Sequence, residues 1–364
     1  MDATFDRKFQ YSSHLKLLQS EALNNIFKYE RGLVTFVDNH HVEIKKSDNK
    51  KKIIYAENII IATGSKPRTL PNIDVDEKII MTSDGVDHMK KFPKSMVIVG
   101  AGVIGCEYAT IFSNFGKTKV YLIDRSDRIL PFEDNDISDL ISKNLKEKGV
   151  IIHNKAQLER LEMKDGEVEY ELSYKDGTQE IIRVEKALLS VGRKLCIDGL
   201  KMENAGVTLS KRGVHIGDID TQTNIPNIYV VGDASGHISL VNVGELEGRY
   251  AVERIFSKKY YPINYKNICT IMFLQPEVAS VGINEKTCIE EKIPVKVVKL
   301  DYSCIARAIA MRKTEGFFKI IVSDDDKMKI LGMRAVGEHA SSACLLYTSP
   351  SPRDKRQSRM PSSA

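Results

Sequence analysis

No two cysteines of this 364-residue chain form a C-x-x-C or C-x-x-x-x-C pair, although there are six: Cys106, Cys196, Cys269, Cys288, Cys304 and Cys344. Thiols scattered in this way exclude a disulfide scaffold. No metal site is expected from them. They point to an intracellular, reducing compartment, cytoplasm and mitochondrial matrix alike, with the thiols mostly buried. Long apolar runs are missing too. None could span a bilayer, so no membrane partner is expected. The opening MDATFDRKFQYSSHLKLLQS has no apolar signal-peptide core, and its acids argue against a transit peptide. Charge of one sign is scarce. The formal charge is +5, and residues 345–364 alone carry a net +3 from Arg353, Lys355, Arg356 and Arg359 against Asp354. The rest is close to neutral and gives no argument for nucleic acid.

What is present centres on Met96 to Asp124, MVIVGAGVIGCEYATIFSNFGKTKVYLID. The run Met96–Val99 reads as a buried parallel strand. Gly100, Gly102 and Gly105 follow as G-x-G-x-x-G, then a helix from Val103 to about Phe115, then a second strand, Val120–Ile123, ending in Asp124. The first glycine serves a tight strand-to-helix turn. The second lets backbone approach a pyrophosphate, and the third lets helix and strand pack closely. Free N–H groups and the helix dipole favour an anion at the helix start. Asp124 suits a ribose hydroxyl and repels a 2′-phosphate, so NAD is favoured over NADP. Arg125 and Arg128 behind it weaken that preference. Cys106, inside the helix, reads as packing.

Ahead of this unit, residues 16–28 have an amphipathic helical pattern. Three short strands follow with turns at Asp38-Asn39 and 47–49, then a buried strand at Ile59–Ala62 closed by Thr63-Gly64-Ser65. Behind it the same plan returns. A helix over about Asn135–Glu147 and a strand at Val150–Ile152 lead to a meander with turns at Asp165-Gly166 and Asp176-Gly177. A buried strand, Ala187–Val191, then ends in Gly192-Arg193. The two halves read as an internal duplication. A further buried strand, Ile228–Val231, runs into Gly232-Asp233, with a helix from about Val243. Asp233 stands where open α/β sheets bind ligands, or serves as a turn aspartate. After Pro262 the pattern becomes α+β, with strands at 270–273, 295–300, 317–322 and 329–336 and a helix at about 284–291. Glu338 and His339 there are weak acid–base candidates, and polar residues on the surface are the plainer reading. Residues 345–364 are rich in Ser, Pro and Arg, as in a disordered tail, and resemble read-through of a cloning or sequencing adapter.

Four stretches carry a family resemblance: Ile59–Ser65, GAGVIGCE at 100–107, Ser190–Arg193, and 228–248. Together and in this order they resemble the class I FAD-dependent pyridine nucleotide-disulfide oxidoreductases, especially the dihydrolipoamide dehydrogenases and the soluble transhydrogenases. The resemblance implies an α/β fold of three-layer (ββα) Rossmann-like FAD- and NAD(P)-binding domains plus an α+β interface domain that forms a homodimer. The implied division is 1–81 partial FAD domain, 82–220 NAD domain, 221–262 second FAD segment, 263–343 incomplete interface domain and 344–364 tail. Implied FAD contacts are Thr63, Gly64, Ser65, Asp233 on the ribitol, and Ser239, Leu240, Val241 and Asn242 in a loop over the flavin ring. Implied NAD contacts are Gly100, Ala101, Gly102, Val103, Ile104, Gly105, Asp124, Gly192 and Glu107, the acid beside the nicotinamide.

The departures are as informative. The family's first G-x-G-x-x-G, its redox-active C-x-x-x-x-C and its C-terminal His/Glu pair do not occur here. The chain therefore reads as a fragment cut at both ends, and no catalytic residue is assigned. The implied activity is hydride transfer between NAD(H) and flavin, and on to a small dithiol or disulfide. The alternatives are a soluble transhydrogenase, towards which 305–308 and Gly337-Glu338 lean, or an inactive NAD-binding fragment.

Overall fold

The computed structural model describes residues 28–210, 213–214, 221–257 and 261–348. The helix expected at 16–28 falls, but for its last residue, outside the described residues. The chain divides into two compact units, 1–66 with 193–263, and 67–192 with 264–364.

In the first unit, strands Leu33–Phe36, His41–Lys45 and Lys51–Tyr55 form an antiparallel sheet in that order. The Asp38 carboxylate shapes its first turn by accepting the N–H groups of His40 (2.7 Å) and His41 (2.8 Å). Strand Ile228–Val230 pairs in parallel with Ile59–Ile61. All three residues of the former are buried, which accounts for its unbroken apolar run. Phe36, Ile61, Ile228 and Val230 share a core with Leu200 and Met202.

The second unit holds a five-stranded parallel sheet. Its order is Ile80–Met81, Lys186–Leu189, Ser95–Val99, Lys119–Ile123, Ile151–His153. Side chains of the central strand alternate between two cores. Met96 and Ile98 pack with helices Val103–Asn114 and Asn135–Glu147, and Val97 and Val99 pack with the antiparallel meander of 157–184. Meander, sheet and helices are thus three layers, as the resemblance implies. The helical layer also meets a five-stranded antiparallel sheet built from 269–272, 277–282, 330–337, 316–323 and 295–301, through Met272, Val278, Phe317 and Val336.

Three expectations change. The boundaries at 81/82 and 220/221 move, because Ile80–Met81 is an edge strand of the parallel sheet and residues 193–210 fold with the first unit. Cys344 to Thr348 are not a disordered tail. Helix Ala340–Thr348 includes them, and Ala340 and Cys344, one turn apart, pack with Ala279, Val281, Met333 and Ala335. The thiols are also less uniformly buried than expected, since Cys304 is exposed and Cys196 and Cys269 are half-buried.

Candidate dinucleotide site

Strand Ser95–Val99 delivers the chain into Gly100, whose φ of +99° is left-handed space that a side chain rarely adopts. A Cβ there would lie 2.6 Å from the Ser190 carbonyl oxygen, and one on Gly105 would lie 1.9 Å from the Gly100 carbonyl oxygen. These two glycines are required by packing. Gly102 differs, because a Cβ built on it meets nothing within 4 Å. It caps helix Val103–Asn114 without a side-chain bond. The first backbone bond of the helix runs from Cys106 N–H to the Gly102 carbonyl (3.0 Å). The N–H groups of 102–105 therefore lie ahead of the helical ladder, where an anion is received.

The turn is held from several directions. The Ser190 hydroxyl shares its proton between the Val99 carbonyl (2.9 Å) and the Gly100 carbonyl (2.8 Å). Ala101, fully buried, donates its N–H to Asp124 Oδ2 (2.7 Å) and accepts from Leu130 N–H (2.8 Å). Asp124 Oδ1 accepts from Ser126 N–H (2.8 Å). Each carboxylate oxygen thus takes one backbone donor and keeps a lone pair for a ligand. Cys106 is fully buried, and burial pushes its thiol far above the ordinary range, in line with packing.

A cavity of about 620 Å³ opens over this turn. Gly100, Gly102, Val103, Ile104, Asp124 and Gly192 line it, with Arg125. Arg128 instead pairs with Asp139. Ala101 and Gly105 lie buried behind the lining. Glu107, on the same helix, lies outside this lining. Its carboxylate accepts the Phe273 N–H (2.9 Å), and burial, partly offset by that bond, raises its pKa. Ser190, from the Ser190–Arg193 stretch, also lines the cavity, with Arg68, Pro131, Phe132 and residues 156–158, which lie outside any motif. Only Ser190, the small polar residue closing a buried strand, left a signal in the sequence. Glu338 and His339 line a separate pocket of about 420 Å³ with Arg307 and Lys313.

In the first unit, the Asp233 carboxylate is engaged by the Ser65 hydroxyl and lies 3.5 Å from Arg193 Nε, which also donates to Ser65 Oγ (2.6 Å). Gly232 N–H donates to buried Glu247 (2.6 Å), tying the strand end to helix Val241–Phe256. Thr63 is exposed, and Gly64 has open space around it. Of the expected 239–242 loop, Val241 and Asn242 are already helical; Ser239 and Leu240 precede the helix, and no side chain caps it. The apolar pattern places the helix start too late because Val241 is 91% exposed.

Residues 6–248 match the pyridine nucleotide-disulphide oxidoreductase family, and 268–347 match its dimerisation domain. The chain belongs to this family. Among relatives of these oxidoreductases, the dihydrolipoyl dehydrogenase of Chlamydia trachomatis is 35% identical over 302 residues, 82% of this chain and 63% of that protein. The soluble pyridine nucleotide transhydrogenase of Hahella chejuensis is 33% identical over 323 residues, 89% and 68% of the two chains. Among solved structures, the HOCl-induced flavoprotein disulfide reductase RclA from Escherichia coli superposes with a TM-score of 0.76. It is 26% identical and covers 87% of this chain and 71% of that one. The chain thus spans under two thirds of the length of the Chlamydia relative. Among the described residues, no helix is long and apolar enough to cross a membrane.

Proposed function

We propose that this chain is the NAD-binding part, with a portion of the FAD-binding part, of a dihydrolipoyl dehydrogenase-like homodimeric flavoenzyme. That enzyme moves hydride between NAD(H) and flavin, with a small dithiol or disulfide as the further substrate. The observation that carries this is the contrast among the glycines. Gly100 and Gly105 are filled by the fold itself, whereas Gly102 faces open space at the mouth of a lined cavity. Packing explains the first two; a close-approaching pyrophosphate explains the third.

The residues present fit a dinucleotide. The helix-start N–H groups receive the pyrophosphate, and Asp124 takes ribose hydroxyls. When bound, nicotinamide and flavin supply the hydride chemistry, and the chain binds and orients them. For FAD, the residues of the first unit fit a ribityl chain at Asp233, whose carboxylate is oriented by Ser65 and Arg193. A soluble transhydrogenase is the second reading, favoured by the nearly equal identity of the Hahella relative.

The test is NADH titration of the 364-residue chain by fluorescence, with Gly102→Val beside it. Saturable binding abolished in Gly102→Val, at unchanged melting temperature, is expected. Equal affinity in the two proteins refutes the site. A flavin absorption band in the purified chain reports on FAD separately. Reduction of lipoamide or of NADP by the full-length, flavin-loaded enzyme separates the two activities.

A further inference from the structure

Lys319 is the most deeply buried cation among the described residues, at 1% exposure, and the carboxylates it donates to, Asp134, Asp136 and Glu285, are not in the cavity lining. It sits on strand Gly316–Ser323 of the antiparallel sheet and donates to Asp134 (3.0 Å), Asp136 (2.7 Å) and Glu285 (3.0 Å). On the next strand, Arg334 donates from Nε to Glu133 (3.1 Å), and both partners are 5% exposed. Glu133 and Asp134 end the short segment that begins at Leu130. That segment includes Pro131 and Phe132, which form one wall of the dinucleotide cavity.

Every residue of the segment is tied down. Leu130, held at φ +47°, donates to the carbonyl of Ala101 within the glycine turn. The Pro131 carbonyl accepts from Lys286 Nζ. The Phe132 carbonyl accepts from Asn284 Nδ2 (2.9 Å). Asp134 Oδ1 accepts the Lys286 N–H (2.9 Å). The turn that receives the anion is therefore linked through Ala101 and Leu130 to a wall whose far end is anchored in the antiparallel sheet. A buried ion cluster costs desolvation and is a poor way to gain stability, but it holds its members in one geometry. Phe132, 49% exposed, has little packing of its own to hold it.

We propose that Lys319 is a positioning residue for the dinucleotide. From the antiparallel sheet it fixes the 130–134 segment, and thereby the Pro131–Phe132 wall and the glycine turn, in the shape that binds. This inference rests on the dinucleotide reading of the cavity.

The experiment uses the 364-residue chain and three variants: Lys319→Met, Lys319→Met with Asp134→Asn, and Lys286→Met. Lys296→Met, an exposed residue paired with Asp324 away from the cavity, is the control. NADH affinity, thermal melting and amide hydrogen exchange over 100–105 and 128–134 are measured on each. Lys319→Met is expected to weaken NADH binding about tenfold and to speed exchange in both peptides, since misplacing a binding wall by a fraction of an ångström is costly. The double variant removes an unpaired buried charge, so its melting temperature recovers while its affinity stays low. A purely structural role would restore both, and that result overturns the proposal, as does NADH affinity within twofold of wild type in folded Lys319→Met. Should Lys319→Met not fold, unchanged affinity and exchange in Lys286→Met overturn it. Should the wild-type chain bind no NADH, the dinucleotide reading fails. The exchange arm then decides the anchoring alone, with equal rates in Lys319→Met and Lys296→Met counting against it.

Discussion

Asp124 Oδ2 lies 2.7 Å from the amide nitrogen of Ala101, so the acid that closes the second strand also braces the glycine turn. One side chain thus holds backbone and, on the proposed reading, selects the ribose. Arg125 beside it lines the cavity, and Arg128 is turned away in its pair with Asp139.

The two roles of Asp124 separate by substitution. Asp124→Asn keeps an oxygen for one backbone donor but loses the charge that repels a 2′-phosphate. NADH is expected to bind wild type more tightly than NADPH, with the gap narrowed about tenfold in Asp124→Asn, the scale of one lost charged contact. Arg125→Ala should then reduce what NADPH affinity remains. Paired titrations with the two nucleotides on each variant check this. An unchanged ratio in Asp124→Asn would remove Asp124 from the specificity argument.

Gly105→Ala makes the opposite prediction from Gly102→Val. Its methyl group would sit 1.9 Å from backbone oxygen, so helix and strand must part. A loss of about 3 kcal/mol, or about 6–12 °C in Tm for a cooperative unit of about 200 residues, is expected before any nucleotide is added. Ser190→Ala is milder. Removing one hydrogen bond costs about 1 kcal/mol and weakens NADH binding about fivefold. Calorimetric melts with and without NADH distinguish the three variants.

The Lys319 cluster gives a pH dependence with a definite sign. Burial pushes Asp136 up, but bonds from Lys319 and Lys299 outweigh it and hold the acid below its ordinary range. Burial likewise pushes Lys319 down, and bonds from Asp136 and Asp134 outweigh it and raise it. The Asp136 contribution is therefore present above about pH 4 and lost as pH falls further. The Lys319 contribution is present below about pH 10.5 and lost as pH rises through its raised value. The melting difference between wild type and Lys319→Met should form a plateau between these limits and shrink beyond both. A difference that peaks at either extreme would contradict the assignment.

The parallel unit was legible because its determinants are local. A doubly buried strand such as Met96–Val99 advertises itself as an apolar run, and helix Asn135–Glu147 has the bounds its pattern gives. The two-residue strand Ile80–Met81 was not, since no pattern fits in two residues and its pairing with 187–188 is a tertiary fact. At the site, the glycines and Asp124 could be read because backbone geometry limits what may stand there. The Pro131–Phe132 wall and its anchors could not, because Lys319 meets Asp134 across 185 residues and nothing in either neighbourhood announces the other. The partner of Glu107 was hidden for a related reason. The motif gives the acid's place on the helix, but the N–H it meets belongs to Phe273, far along the chain.

Ser190 reaches Gly100 across ninety residues. The turn and its first brace, Asp124, leave the ribosome early and close together. The hydroxyl that steadies the first glycine comes after the entire 157–184 meander. A nascent chain emerged as far as residue 150 carries the complete glycine motif without that clamp. Closing so long a loop is slow relative to forming the helix beside it. The clamp on the first glycine is thus set later than the helix it steadies.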